Sequence, residues 1–473
     1  MKLRIKLSAI LFGFLLLVTS CKKDYIQYEK VENTNQNGVE FTVQLPGLIN
    51  KVTTYSITDR EENAVQTIDI LAFKINNRGL ATETETFAYK VAGTGISTPA
   101  ESNQSNKSFR ANLVKDNAGY YRFVVLANVR AQLDAITMAT DESKTSLLAR
   151  LAFEKTGQWN ATAASNYDAL PMWGESGQQR VDGSTTQIGR IALLRSLARI
   201  DVNLSGTALS NFVITSVSVI NSRAKGLMAP LADRYNSTSG TVTSPSLFAT
   251  DKFNTGPLTY PVASPGRSLQ QQIYVFESPA STLSASQTNS TELVIAGRYN
   301  GSETETYYRI AFLDASGKAL PLLRNYKYSI NINTVGGVGY PTLDIASRNL
   351  PANMAVTTVP WDDSGMNVIA TDGQYILALS TDRFEVSGAI GNTMELILYT
   401  DYPFLWRVTS DSDWLGVLYK KSGDRYIITF ITQVSSNIGA AGSRTASVTV
   451  STGGGADKGR ITKTVTVTQR NTD

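Results

Sequence analysis

Apolar side chains recur at every second position in many short stretches of this chain, and this period constrains its fold more than any other feature. The first stretch lies just before Pro46 and has four apolar side chains at alternate positions: Val39, Phe41, Val43 and Leu45. A period of two places such side chains on one face of a β-strand. Similar stretches, rich in Val, Ile, Thr and Tyr, lie at 67–73, 121–127, 212–220, 272–276, 293–299, 307–312 and 326–332. The pattern therefore predicts an all-β chain.

The spacing of these stretches predicts the domain organisation. Residues 38–204 and 205–361 are each close to the ~150 residues of a common domain, and we interpret each as one β-sandwich. Residues 362–374 include DDSGMNVIATDG, which we interpret as a linker. The strands within 375–473 follow one another at the short spacing of an immunoglobulin-like sandwich. A helical pattern at 143–155 predicts a short surface helix between strands.

The N-terminal residues have the pattern of an export signal. Lys2, Arg4 and Lys6 precede an apolar run at 7–18, which is shorter than the roughly 20 residues of a membrane-spanning helix. The run ends at Cys21, the single cysteine of the chain. This arrangement resembles the lipobox of bacterial lipoproteins, which implies that 1–20 is a signal peptide and that Cys21 carries lipid at the cell outer membrane. Residues 21–37 are then a polar tether. An ordinary signal peptide with an incidental cysteine is the alternative.

Two composition numbers exclude whole classes of chemistry. The chain has no histidine and one cysteine, so Ser-His-Asp catalysis, thiol catalysis and His- or Cys-ligated zinc lack their residues. Carboxylate pairs such as Glu61 and Glu62 lie in polar segments, and we interpret them as solvated. We therefore expect no enzyme activity, no cofactor and no metal. The formal net charge is +4, and the predicted signal carries three of the positive charges, so nothing favours nucleic acid as a partner.

The middle of the chain carries five short phrases whose order is informative. They are LPMWGES at 170–176, IALLRSLARIDVNL at 191–204, QIYVFES at 272–278, LLRNYKYSININ at 322–333 and VTTVPW at 356–361. The ordered set resembles the fimbrillin-like pilus subunits of Bacteroidetes, of the FimA/Mfa type that builds type V pili. The resemblance covers about residues 38–361. It implies two transthyretin-like β-sandwich domains, exported as a lipoprotein.

The resemblance also implies a mechanism of assembly. In such subunits a surface protease with Arg or Lys specificity removes the first strand, and a strand donated by a neighbouring fimbrial subunit fills the groove that is left. Here the strand that contains Val39, Phe41, Val43 and Leu45 would fill the groove in the precursor. Lys51 and Arg60 are the candidate processing sites, and both remain open: Lys51 lies closer to the strand, and acidic residues flank Arg60.

Residues 370–470 carry a second ordered pattern. Trp406-Arg407-Val408 precedes DWL at 413–415, RTASVTV lies at 444–450, and VTVTQ ends the pattern at 465–469. This progression resembles the BACON domain, a small β-sandwich of Bacteroidetes surface proteins. The resemblance implies glycan contact, with host or mucin glycans as partners and Trp406 and Trp414 as candidate contacts. Both tryptophans also fit the pattern as core residues, in which case the domain is a spacer.

These features predict a cell-surface pilus subunit at the tip of the fibre or in an accessory position. In the resembled family the C-terminal strand reaches into the next subunit, whereas here a folded segment follows Trp361. Such a subunit accepts a strand and does not donate one. An outer-membrane glycan-binding lipoprotein of a polysaccharide-uptake system and an uncleaved pilus anchor are the alternatives.

Overall fold

A computed structural model describes most of the chain from Gly38 onward. The described residues are 38–46, 59–97, 106–115, 118–161, 163, 165–236, 241–248, 250–263, 266–285, 289–314, 316–362, 368–371, 376–400, 405–422, 425–434, 442–452 and 461–470. Their regular structure is almost wholly β, which confirms the all-β prediction. The helices are short: α1 Asp59–Glu62, α2 Arg130–Asp134, α3 Lys144–Arg150, α4 Ala208–Asn211 and α5 Leu343–Ser347, with one 3₁₀ turn at Ala232–Arg234. Within these ranges, none of the helices combines the length and hydropathy that crossing a bilayer requires.

The first ten strands, apart from β6, form the two N-terminal sheets. They are β1 Val39–Gln44, β2 Ile68–Asn76, β3 Thr84–Ala92, β4 Asn106–Ala111, β5 Gly119–Ala127, β6 Ala152–Glu154, β7 Met172–Glu175, β8 Gln179–Val181, β9 Gln187–Ala192 and β10 Leu194–Arg195. One sheet has the order β4-β1-β9, and the other has the order β10-β7-β5-β2-β3, with β8 paired to β5. A core of alternate apolar side chains from both sheets lies between them, as expected for two-residue periodicity.

The next eleven strands form the two middle sheets, apart from β13, which pairs with β6, and from β14 and β15, which pair with each other. They are β11 Ala198–Leu204, β12 Phe212–Ile220, β13 Lys225–Leu227, β14 Tyr235–Asn236, β15 Thr241–Val242, β16 Leu258–Pro261, β17 Ser268–Val275, β18 Glu292–Tyr299, β19 Glu305–Ile310, β20 Tyr326–Val335 and β21 Met354–Asp362. The orders β17-β11-β20-β21 and β16-β12-β18-β19 enclose a second apolar core. Strand β11 belongs to this second core, so the predicted boundary at Leu204 is wrong. The chain passes from the N-terminal to the middle sheets between β10 and β11.

The remaining strands form the C-terminal sheets. They are β22 Val368–Thr371, β23 Ile376–Leu379, β24 Arg383–Val386, β25 Thr393–Thr400, β26 Trp406–Ser410, β27 Leu415–Ser422, β28 Arg425–Thr432, β29 Ser443–Thr452 and β30 Ile461–Arg470. The orders are β22-β23-β25-β28-β27 and β24-β30-β29-β26, and a third core lies between them. Strand β22 lies inside the predicted linker 362–374, which is therefore wrong for these residues. Three of its four residues, Val368, Ile369 and Thr371, are β-branched, which favours a strand, and β22 pairs with β23.

The predicted helix at 143–155 is shorter than its pattern. Ser143 caps α3 by accepting a hydrogen bond from the backbone N–H of Ser146. The helix ends at Arg150, and β6 follows and forms a two-stranded sheet with β13. Leu147 and Leu148 are buried in a further core that joins side chains of the N-terminal sheets to Met228 and Leu323. This shared core connects the N-terminal and middle sheets.

Candidate functional site

Strand β1 lies between two partner strands rather than at an edge. It runs antiparallel to β4, from the pair Val39↔Ala111 to the pair Gln44↔Asn106. It runs parallel to β9, with Phe41 opposite Ile188, and the register shifts between Phe41 and Val43. Both sides of its backbone are therefore hydrogen-bonded, and its removal would leave a slot with unpaired N–H and C=O groups on two strands.

The apolar face of β1 fills the centre of the N-terminal core. Val39, Phe41 and Val43 are 0% exposed and Leu45 is 4% exposed. The ring of Phe41 stacks on Phe109 of β4 at 5.3 Å between centroids and meets Phe123 of β5 edge-on at 5.5 Å. Full burial of each such side chain stabilises a fold by about 1.5–3 kcal/mol. The four predicted groove-filling residues are thus all in the core, and removal of the strand stays a prediction.

A buried ionic cluster holds the short helix α1 in place through Glu62. Glu62 accepts a hydrogen bond of 2.7 Å from Nη1 of Arg199 and lies 3.4 Å from Nε of Arg195. Arg199 also donates two hydrogen bonds to the carboxylate of Asp201, and Lys327 lies 3.2 Å from the same carboxylate. We call these five residues the Glu62 cluster. Its members come from α1, β10, β11 and β20, so it lies where the N-terminal and middle sheets meet.

The charges in the Glu62 cluster determine its protonation. Burial raises the pKa of Glu62, but the positive charges of Arg195 and Arg199 outweigh burial and hold the pKa below its usual value. Burial likewise raises the pKa of Asp201, and Arg199 and Lys327 together lower it far more strongly. Both carboxyl groups are therefore ionised at neutral pH. The cluster contains two negative and three positive side chains.

Hydrogen bonds connect the residue after α1 to the end of β1 and to β10. The side-chain amide of Asn63 donates a hydrogen bond of 3.0 Å to the carbonyl of Pro46, and its oxygen accepts one of 2.7 Å from Arg195. Asn128 then holds the chain that leads to β2, because it donates to the carbonyl of Ala64 and accepts from the backbone N–H of Gln66. The end of β1 and the end of α1 are therefore adjacent.

The predicted processing and lipidation sites differ in what the structure describes. Cys21 and Lys51 lie outside the described residues. Arg60 lies in α1, two residues before Glu62, and its side chain is outside the described part. In the described ranges, no three His, Cys, Asp or Glu side chains gather in a way that could hold a metal ion.

The two tryptophans proposed for glycan contact have different surroundings. Trp414 is 9% exposed and packs in the third core, with the Arg444 guanidinium 4.5 Å from its ring centroid. Trp406 is only partly buried, and its ring centroid lies 5.1 Å from Tyr419 and 4.9 Å from Tyr426. Tyr419 is 65% exposed. Trp406 therefore belongs to a partly exposed aromatic cluster, whereas Trp414 packs as a core residue.

Sequence reasoning missed several residues of the site. The strands that flank β1 were not predicted. In β4 only Phe109 and Ala111 alternate, after polar residues, and the buried Ile188 and Ile191 of β9 are three positions apart, where the register with β1 shifts. Glu62 was interpreted as solvated, yet it is 3% exposed. A signal was available in the charged pair Arg199 and Asp201, which lies within an otherwise apolar strand and needs buried partners.

The fold and the site together define a class of protein. A family model described as "Fimbrillin-A associated anchor proteins Mfa1 and Mfa2" matches residues 32–363. Because the match covers more than half of the chain, the chain belongs to this family of fimbrial subunits, which are cell-surface structural proteins rather than enzymes. The fimbrillin part of the predicted resemblance is confirmed. The resemblance of residues 370–470 to a BACON domain remains a prediction.

The individual relatives share at most about a quarter of their residues with this chain in the matched region. The major fimbrium tip subunit FimE of Porphyromonas gingivalis is 24% identical over 225 residues, which are 46% of this chain and 39% of FimE. The match thus spans about two fifths of the length of that relative. The solved structure of the tip fimbrial protein Mfa3 from P. gingivalis, with a C-terminal truncation, is 16% identical with a TM-score of 0.42, covering 68% of this chain and 99% of that one. A putative cell adhesion protein from Bacteroides uniformis is 12% identical with a TM-score of 0.35, covering 70% of this chain and 100% of that one.

Proposed function

We propose that this protein is a fimbrial subunit that accepts a strand from a neighbouring subunit after it loses β1. The single observation that carries the proposal is the position of β1 between β4 and β9, with its apolar face in the core. A strand of similar alternation would restore both hydrogen-bond ladders and refill the core. The hydrogen bond from Asn63 to the carbonyl of Pro46 fixes the position of the chain just after β1, which supports a slot with a defined end.

Export and processing complete the proposal. Cys21 receives lipid, which delivers the precursor to the outer membrane, and an Arg- or Lys-specific surface protease then cuts between β1 and β2. Lys51 and Arg60 are the basic residues considered for this cut. Loss of β1 also removes the lipidated tether, so the lipid belongs to the precursor and the mature subunit belongs to the fimbrium.

We place the subunit at the tip of the fibre or in an accessory position. Strand β21 is followed by the C-terminal sheets, so the chain after β21 is folded rather than free to enter a neighbour. The name of FimE as a tip subunit supports this placement. The family description instead mentions anchor proteins, which supports an uncleaved anchor as the alternative. N-terminal sequencing of the protein from cell-surface fibres distinguishes them: an acylated Cys21 indicates an anchor, and a start between β1 and β2 indicates processing.

Strand exchange is tested with a cleavable version of the full chain. A recognition site for a sequence-specific protease replaces residues 52–57, and the cut protein is incubated in mild denaturant with a labelled synthetic peptide of residues 38–46. We expect the peptide to replace β1. The control peptide has the same composition with its apolar residues moved by one position, which turns them to the wrong face. Equal uptake of both peptides, or no uptake of either by folded protein, would contradict the proposal.

A second candidate function is glycan binding by the C-terminal sheets. It rests on the aromatic cluster of Trp406, Tyr419 and Tyr426, where Nζ of Lys421 also lies 6.0 Å from the Tyr426 centroid. Exposed flat rings can cover the C–H face of a pyranose while a nearby cation binds hydroxyl or acidic groups. Titration with oligosaccharides released from mucin tests it. Tyr419→Ala should weaken binding at least tenfold, whereas Leu418→Ala, on the opposite face of β27, should not; no measurable binding would remove this candidate.

A further inference from the structure

We propose that the Glu62 cluster protects the Arg60–Glu61 bond, so that processing cuts the chain before α1. This inference rests on the proposed function only in assuming that the protease acts between β1 and β2. It decides between candidate sites that the sequence leaves open. It also gives the buried ionic cluster a role, because the cluster then determines where the mature subunit begins.

The residues that follow the Arg60–Glu61 bond are all held. Glu61 is 9% exposed, and Glu62 and Asn63 are each 3% exposed. Glu62 is bound by Arg195 and Arg199. Asn63 accepts a hydrogen bond from Arg195 and donates one to the carbonyl of Pro46. The backbone N–H of Ala64 donates to the carbonyl of Glu61. The part of the substrate that a protease must grip after the bond is therefore buried and hydrogen-bonded.

A protease binds its substrate as an extended strand on both sides of the bond that it cuts. Arg60 lies in a helical turn, so an extended conformation requires α1 to unwind and Glu62 to leave its two arginines. Such local opening takes the carboxylate of Glu62 away from the buried guanidinium groups of Arg195 and Arg199. The cluster is then left with one carboxylate and three cations, and this is strongly unfavourable. Cleavage of a bond that is reached only through opening depends on the small population of the open state.

The product of cleavage at Arg60 would also be unfavourable. A cut there creates a new α-ammonium on Glu61, directly beside a cluster that already contains three cations and two carboxylates. Glu61 is nearly buried, so this extra positive charge would lie in a poorly solvated place. A cut before Asp59 creates its new terminus outside α1, and it keeps the contacts that Glu62 makes with Arg195 and Arg199 and the hydrogen bond between Asn63 and Arg195.

The test treats the full protein with an Arg-specific endoprotease. Mass spectrometry then measures how fast a chain that begins at Glu61 is produced. A synthetic peptide of residues 55–66 contains the same bond without the fold. We expect the peptide to be cut at least about 100-fold faster than the bond in the folded chain. Cleavage of the folded chain within about threefold of the peptide rate would overturn the proposal.

Variants separate the fold from the local sequence. Arg199→Met loosens Glu62 without changing any residue near Arg60, and we expect cleavage at Arg60 to rise at least about tenfold. Glu62→Gln removes the same ion pairs more mildly and serves if Arg199→Met does not fold. Arg348→Met is the matched control, because Arg348 pairs with Asp344 on the surface. Folded cluster variants that are cut no faster than this control would overturn the proposal. Peptide uptake into the β1 slot does not depend on which bond is cut, so failure of this inference and failure of the proposed function are distinguishable.

Discussion

Phe41 connects the two N-terminal sheets through its ring, because it contacts Phe109 on one sheet and Phe123 on the other. Replacement by alanine removes both contacts and leaves a cavity in the buried N-terminal core. We expect Phe41→Ala to lower the free energy of unfolding by about 3–5 kcal/mol in urea denaturation of the full chain. Thr42→Ala, on the other face of β1, is the control and should stay within about 0.5 kcal/mol. Equal effects of the two changes would contradict the packing of β1.

The Glu62 cluster makes stability depend on acid pH. The folded pKa of Glu62 lies below its unfolded value of 4.5. As the pH falls below that value, the unfolded chain takes up a proton that the folded chain does not, so folding becomes less favourable. We expect the urea midpoint to fall between pH 5 and pH 3, with the contribution fully present at about pH 6 and above. Glu62→Gln should fall less steeply over that interval; the same slope in both proteins would show that Glu62 is not the group involved.

At the residue scale, apolar positions were predicted well and charged positions poorly. The burial of Val39, Phe41, Val43 and Leu45 follows from a two-residue period, which needs no knowledge of the partner strands. The burial of Glu62 depends on Arg195 and Arg199, which lie more than 130 residues away. A short polar segment gives no sign of such partners, since an isolated glutamate is solvated in most proteins.

Strand β7 approaches β9 closely at a glycine, and this contact holds the two N-terminal sheets together beside the β1 slot. A Cβ at Gly174 would lie 2.3 Å from the carbonyl oxygen of Ala192, and 2.8 Å from the side chain of Leu193. We expect Gly174→Ala to force the strands apart and to cost about 1–3 kcal/mol in urea denaturation. Gly177→Ala is the control, because the nearest atom to its added Cβ is 4.0 Å away. A neutral Gly174→Ala would show that the sheets can separate freely here.

At the element scale, two strands that line the second core were predicted with good bounds. The prediction at 212–220 matches β12, and the prediction at 293–299 matches β18 except for its first residue, Glu292. The two strands that flank β1 were missed, since β4 begins in a polar segment and β9 carries polar residues toward solvent. The sequence therefore indicated the strand that fills the slot, but not the strands that form it.

At the scale of the whole molecule, contacts between distant segments decide which strands belong together. Strand β11 continues the chain from β9 and β10, yet its partners are β17 and β20. One core combines Leu71 and Leu126 of the N-terminal sheets with Met228 and Leu323 near the middle sheets. Periodicity along the chain carries no information on such pairings. For this reason the predicted boundary at Leu204 was placed after β11, whereas β11 belongs with the middle sheets that follow it.

The distribution of the cores predicts how the molecule unfolds. The core that contains Leu323 includes residues from both the N-terminal and the middle sheets, whereas the core that contains Leu396 consists of residues from the C-terminal sheets alone. Elements that share a core unfold together, and elements that do not can unfold independently. We therefore expect two transitions when hydrogen exchange is followed by mass spectrometry in increasing urea. Leu396→Ala should shift only the transition of the C-terminal sheets, by about 2–5 kcal/mol. Leu323→Ala should shift the transition that the N-terminal and middle sheets share. A single transition that both variants shift equally would instead show that the three groups of sheets unfold as one unit.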